Sequence, residues 1–144
     1  MQATLVYQEG ASISQMYLVG TNEAGKQTAF DVRPEHGGGG LAASPMEVLM
    51  QAAAACSSVD VLSILRKKRK TVTNLRVEMQ GERAAEHPRV FTDIAFTFIL
   101  TSPDAELKDL ERSVELSETT YCSAMAMLRR SGCNLTFSCQ VVRP

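Results

Sequence analysis

Apolar residues recur with a period of two in some stretches of the chain and with a helical period in others, and the changes of period mark out the elements. Ala3, Leu5 and Tyr7 alternate with polar neighbours over residues 3–8, and Ile13, Tyr17 and Val19 do so over residues 13–19. They flank Glu9-Gly10-Ala11, so a hairpin is expected, with a third strand over residues 28–32 after the turn Asn22-Glu23-Ala24-Gly25. Four glycines then lead into Ser44-Pro45-Met46-Glu47 and a long helix that runs to Arg66-Lys67-Lys68-Arg69-Lys70. Leu75, Val77 and Met79 predict a strand with one wet face. Residues 81–88 turn, and Ile94, Phe96, Phe98 and Leu100 form the buried face of the next strand, paired antiparallel with the first.

A helix is expected from Ser102-Pro103-Asp104, with Leu107, Leu110 and Val114 inward and Asp109, Glu111 and Arg112 in water. A break near residues 117–120 leads to a second helical run over residues 121–130, stopped by Gly132. The last strand carries Cys133, Leu135, Phe137, Cys139 and Val141 on one face. The order predicts an α+β fold of mostly antiparallel sheets around two central helices, in one domain spanning residues 1–144.

The long helix begins with a capping box, Ser44 with Glu47 three residues on, and Pro45 stands where a missing N–H costs nothing. Cys56 lies in its middle, and the neighbours at helical spacing (Leu49, Ala52, Ala53, Val59, Asp60 and Ser63) are mostly small. Such a face admits another element closely. Because the helix is apolar nearly all round, it is expected at the centre of the fold, shared with a second subunit.

Composition narrows the function. A net charge of −1 gives no field for nucleic acid or an anionic membrane. The longest apolar run, residues 48–55, is interrupted by Gln51, so no membrane span is expected. The N-terminus has no secretory pattern, and four cysteines without one favour reduced thiols, metal ligands or redox chemistry in a reducing, cytoplasmic compartment over a disulfide scaffold. The basic run 66–70 ends a helix and lacks interleaved aromatics, which marks a solvated helix end. His36 has no ligand partners nearby in sequence, and the glycines lack the Lys-Ser/Thr of a phosphate loop, so a flexible loop is expected there.

Cys133 and Cys139 read as small hydrophobes on a strand face. Cys122 opens a helical run, where the dipole favours a thiolate; buried filler is an equal alternative. Cys56 sits about 16 Å along its helix, beyond the reach of that helix's own dipole. A thiol of pKa ~8.5 is ~3% ionised at pH 7, and lowering it to ~6, worth about 3.4 kcal/mol, gives ~90%. Asp60, one turn on, opposes this, so a cation is expected to reach Cys56: Arg33 first, Arg129 second.

Ser44-Pro45-Met46-Glu47-Val48-Leu49, Ala52-Ala53-Ala54-Ala55-Cys56, Gly81-Glu82-Arg83 and Leu116-Ser117 leading into Tyr121-Cys122-Ser123 together resemble the OsmC/Ohr family, most closely its YhfA-type OsmC-like branch. The resemblance covers nearly the whole chain. It implies an OsmC-like fold in an intertwined homodimer, and a cofactor-free thiol peroxidase that reduces organic hydroperoxides in oxidative or osmotic stress. It implies that Cys56 is the peroxidatic thiol and Cys122 the resolving thiol, joined in a disulfide that an external dithiol reduces. The Ohr branch places a Glu directly after the Pro, beside a catalytic Arg. Here Met46 holds that place, Glu47 follows about 180° around the helix from Cys56, and Arg33 takes the Arg role by position. Two alternatives are a non-catalytic dimeric member that binds a small apolar ligand, and a thiolate metal site on Cys56 and Cys122.

Overall fold

The computed structural model describes residues 1–7 and 14–144. They form two compact units, Met1–Leu49 and Met50–Pro144, each with one three-stranded sheet.

In the first unit, β1 (Ala3–Tyr7), β2 (Leu18–Asn22) and β3 (Gln27–Phe30) form an antiparallel meander, with Tyr7 opposite Leu18 and Leu18 opposite Phe30. The turn expected at residues 9–11, and positions 8 and 13 of the flanking strands, lie outside the described residues. The second strand starts later than the alternation suggests, because Ser14 is taken up elsewhere. Its hydroxyl donates to Asp31 Oδ1 at 2.7 Å and accepts the Met16 N–H at 3.1 Å. The β2–β3 turn closes on the Asn22 side chain, which accepts the N–H groups of Ala24 and Lys26, both at 2.9 Å.

The glycine run is ordered around a carboxylate, contrary to the flexible loop expected of it. Asp31, only 1% exposed, accepts the N–H groups of Val32 at 2.8 Å, Gly39 at 3.2 Å and Leu41 at 3.0 Å. Burial alone would raise its pKa. The Leu41 N–H, the Ser14 hydroxyl and the Val32 and Gly39 N–H groups outweigh burial and hold the carboxyl below its ordinary value.

Helix α1 (Pro45–Lys67) starts where the capping box places it. The Ser44 N–H donates to Glu47 Oε2 at 2.7 Å, and the Glu47 N–H reaches Ser44 Oγ at 3.4 Å. Its buried stripe is Ala53, Ala54, Ser57, Val61 and Leu65. A second stripe, Ala52, Ala55 and Val59, is exposed, with Val59 at 67%. By length and composition α1 does qualify as a membrane-crossing helix, which corrects the expectation that no such run exists. The interruption at Gln51 is diluted once the full helix is taken together. A carboxylate, Asp60, and the buried hydroxyl of Ser57 nonetheless occupy its middle.

In the second unit β4 (Asn74–Arg83) and β5 (Phe91–Thr101) pair antiparallel, with Val77 opposite Phe98 and Met79 opposite Phe96. Phe91, Ile94, Phe96, Phe98 and Leu100 of β5 are buried. The final strand, β6 (Asn134–Val142), runs parallel to β5, and Phe96 stacks on Phe137 with ring centroids 5.6 Å apart. Three of the four described pairings are thus antiparallel. The chain returns from β5 to β6 through α2 (Leu107–Leu116), a π-helical turn (Ser117–Tyr121) and α3 (Ser123–Arg130).

Helix α2 begins later than Ser102-Pro103-Asp104. Glu106 caps it reciprocally with Asp109, while Asp104 accepts the Thr71 N–H at 2.8 Å and the Thr71 hydroxyl at 3.0 Å. Asp109 faces Lys68 at 3.5 Å and Lys70 at 3.2 Å rather than water alone, so two of the five basic residues ending α1 are spent within the chain.

Candidate functional site

The site is assembled from three pieces of backbone. Helix α1 carries Cys56 on the border between its buried stripe and its exposed apolar stripe. The π-helical turn ends at Cys122, whose N–H bonds the Ser117 carbonyl at 2.8 Å. Cys122 is itself the N-cap of α3: its sulfur accepts the Met125 N–H at 3.5 Å. The break anticipated near residues 117–120 is therefore one widened turn, a feature that recurs where a helix must re-aim its residues. Cys122 is 3% exposed and Cys56 half-buried.

The two thiols are close enough to shift each other's acidity, and their environments push them in opposite directions. The Ala124 N–H, in the first turn of α3, lowers the pKa of Cys56 most. Burial opposes it, the Cys122 thiol and the Ser123 hydroxyl add to it, and the charge of Asp60 opposes it. The balance leaves Cys56 below an ordinary thiol. Cys122 is pushed up to about 11, first by burial, against the Met125 N–H, and further by its proximity to Cys56. Cys56 thus takes the negative charge first and Cys122 keeps its proton.

Activation of Cys56 comes from the N-terminus of a different helix. The first N–H groups of a helix have no intrahelical partner, and the dipole there favours an anion. The start of α3 serves Cys122 as expected, through the Met125 N–H, and also serves Cys56, through the Ala124 N–H. Arg129 is occupied: it donates to the Glu118 carbonyl at 3.0 Å and carboxylate at 2.9 Å. Arg33 lies 3.7 Å from Glu47 and 3.9 Å from Glu35. Glu47 is held ionised below its ordinary range by the Ser44 N–H and hydroxyl, against burial, and by Arg33. The structure thus brings Cys56 to Cys122, and Arg33 to Glu47.

Cys139 is half-buried on β6 and raised to about 11 by burial and by Glu111, and burial with Asp93 raises Cys133, just before the strand. Neither is poised as a nucleophile. Among the described residues no group of three or more His, Cys, Asp or Glu is placed to hold a metal ion. A cleft of about 350 Å³ opens on Cys122, lined by Glu118, Tyr121, Ala126, Met127 and Arg130 among others.

The residues that sequence reasoning missed are the Ala124 amide, Ser57 and Ser117. A main-chain donor leaves no signature in side-chain identity. Ser117 stood inside a quoted motif without a role.

The OsmC-like protein family model matches residues 37–138, which contain both thiols. The chain belongs to the OsmC-like family. Protein YhfA of Escherichia coli K12 is 38% identical over 142 residues, 99% of this chain and 98% of that protein. A chain solved under the heading of structural genomics is 36% identical, covers both chains fully and superposes with a TM-score of 0.84. The organic hydroperoxide resistance protein OhrB of Bacillus subtilis shares the fold at a TM-score of 0.60 and 16% identity, over 99% of this chain and 98% of that one.

The pH dependence of thiol reactivity follows from the donors. Alkylation of Cys56 by iodoacetamide should have its midpoint below that of an ordinary cysteine, while Cys122 resists until strongly alkaline pH. Cys122→Ala removes a donor to the thiolate and so raises the Cys56 midpoint. Asp60→Asn removes an opposing charge and so lowers it. Site-resolved mass spectrometry of alkylation rate against pH checks all three directions.

Proposed function

We propose that this OsmC-like protein is a thiol-dependent peroxidase that reduces organic hydroperoxides to alcohols, working as a homodimer in a reducing, cytoplasmic setting as part of oxidative stress defence. The observation that carries the proposal is the placing together of two thiols with opposed acidities at the start of α3. The name of the Bacillus subtilis protein that shares the fold points the same way.

The Cys56 thiolate attacks the terminal oxygen of the hydroperoxide. The O–O bond breaks, its electron pair leaves on the alkoxide, and a proton gives the alcohol; Cys56 is now a sulfenic acid. The Cys122 sulfur then attacks the Cys56 sulfur. The S–O bond breaks, the hydroxide leaves with the Cys122 proton as water, and a Cys56–Cys122 disulfide forms. An external dithiol, oxidised in turn, restores both thiols. Cys122 stays protonated while Cys56 bears the charge; once Cys56 is an uncharged sulfenic acid, that opposing charge is gone and Cys122 gives up its proton as its sulfur attacks.

A second copy of the chain would cover the exposed stripe Ala52, Ala55 and Val59 of α1, which adjoins Cys56 and would otherwise leave apolar surface in water. A dry surround favours an apolar peroxide over well-hydrated hydrogen peroxide. Arg33 and Glu47 form an ion pair, with Glu47 also capping α1, and a catalytic role for both stays within the proposal.

One equivalent of cumene hydroperoxide should remove two free thiols per chain within the mixing time of a stopped-flow instrument and leave a disulfide mapped to Cys56 and Cys122. Unchanged thiol content would overturn the proposal in favour of a non-catalytic, ligand-binding member. Protection of the thiols by zinc would favour a metal site.

A further inference from the structure

We infer that Ser117 is a positioning residue for the thiol pair, a role that rests on the redox function proposed above and adds a residue to it. Ser117 is tied to both halves of the site. Through its main chain it holds Cys122: the Ser117 carbonyl accepts the Cys122 N–H at 2.8 Å, the bond that closes the π-helical turn. Through its side chain it holds α1 beside Cys56. Ser117 Oγ lies 2.9 Å from Ser57 Oγ and 2.9 Å from Asp60 Oδ2, with the Ser57 carbonyl at 3.4 Å.

Proton counting fixes the direction of these bonds. A hydroxyl has one proton to give, and a carboxylate can only accept. Ser117 therefore donates to Asp60, and Ser57 donates to Ser117. The result is a directed chain, Ser57 to Ser117 to Asp60, with both serines fully buried. It spans 60 residues of sequence and joins the position after Cys56 to the residue that anchors Cys122. Buried networks with every group satisfied hold one geometry, because each alternative leaves a polar group unpaired.

The consequence is a high effective concentration of one sulfur at the other. Without the Ser117 hydroxyl, the Ser57 hydroxyl and the Asp60 carboxylate lose their shared partner, and the π-helical turn loses its tie to α1. Both cysteines keep their chemistry but meet less often.

The test uses the full-length protein equilibrated in dithiothreitol redox buffers, with the Cys56–Cys122 disulfide quantified by mass spectrometry. Ser117→Ala should shift the equilibrium roughly tenfold toward the dithiol, about 30 mV for this two-electron couple. It should slow disulfide closure after oxidation, so that a dimedone-trappable Cys56 sulfenic acid accumulates. Ser57→Ala, which keeps the Ser117–Asp60 bond, should shift the equilibrium the same way by about threefold, and it decides the matter if Ser117→Ala does not fold. Ser113→Ala is the control for losing a buried hydroxyl: Ser113 Oγ bonds the Asp109 carbonyl within α2, at 2.7 Å. It should lower thermal stability and leave the equilibrium unmoved. A Ser117→Ala equilibrium within twofold of wild type, an equal shift in Ser113→Ala, or no Cys56–Cys122 disulfide in wild type would each overturn the inference. Wild-type protein that forms the Ser117-dependent disulfide but does not consume hydroperoxide would overturn the peroxidase proposal and leave the positioning role standing.

Discussion

Cys56→Ser should lower the second-order rate of hydroperoxide reduction by roughly three orders of magnitude or more, because nothing else in the site can replace the nucleophile. A serine hydroxyl is not ionised by the Ala124 N–H at neutral pH, and oxygen does not form a stable analogue of the sulfenic acid. Cys139 and Cys133 cannot substitute, since burial raises both. Cys122→Ser has a different signature. Cys56 remains beside its main-chain donor, so the first equivalent of peroxide is still consumed in a burst. On the proposed mechanism, the protein should then stall as a sulfenic acid that dithiol cannot turn over through the internal disulfide, and over-oxidise under excess peroxide. Single-turnover and steady-state measurements on the two variants separate these outcomes. A Cys56→Ser protein as fast as wild type would end the assignment.

Gly38→Ala should be the most damaging single-methyl change in the first unit. A Cβ there would lie 2.0 Å from the Val32 carbonyl oxygen, 2.6 Å from its carbon and 2.7 Å from Asp31 Oδ1. All three atoms are held in place. The Val32 carbonyl accepts the Gly40 N–H at 3.0 Å, and the Asp31 carboxylate also bonds Ser14, Gly39 and Leu41. Relieving the clash breaks some of these bonds, each worth about 1 kcal/mol and more where a buried carboxylate loses a donor. A total of roughly 3 kcal/mol or more follows. Gly25→Ala is the comparison: its φ of 74° is unfavourable for alanine, but nothing lies within 4 Å of the new methyl. It should cost about 1 kcal/mol. Denaturant unfolding of both variants checks the ordering.

Local signals carried much of this fold. The capping box of α1 was legible because it is made of adjacent residues. The faces of β4 and β5 were legible because alternation alone sets them. What alternation cannot set is a strand's neighbour, so the parallel placement of β6 beside β5 was missed although its apolar face was read correctly. Ser14 and Asp31 were overlooked for a related reason. They are partners across 17 residues, and each alone looks like an ordinary loop polar group.

In the site, the closeness of Cys56 and Cys122 was implied by the resemblance, and the donor that lowers Cys56 was not foreseen. A cation was sought, whereas the donor is the main-chain N–H of Ala124, a residue whose side chain says nothing about it. The capping role of Glu47 followed from its spacing to Ser44. Its pairing with Arg33 required the folded backbone.

The parallel return of β6 has a consequence for biosynthesis. β4 and β5 are a hairpin and can zip up as they leave the ribosome, but β6 is made only after both intervening helices. Until β6 emerges, the β5 edge of the nascent sheet stays unpaired beside Phe96 and Phe98, the kind of open edge that chaperones shield and that neighbouring nascent chains can invade.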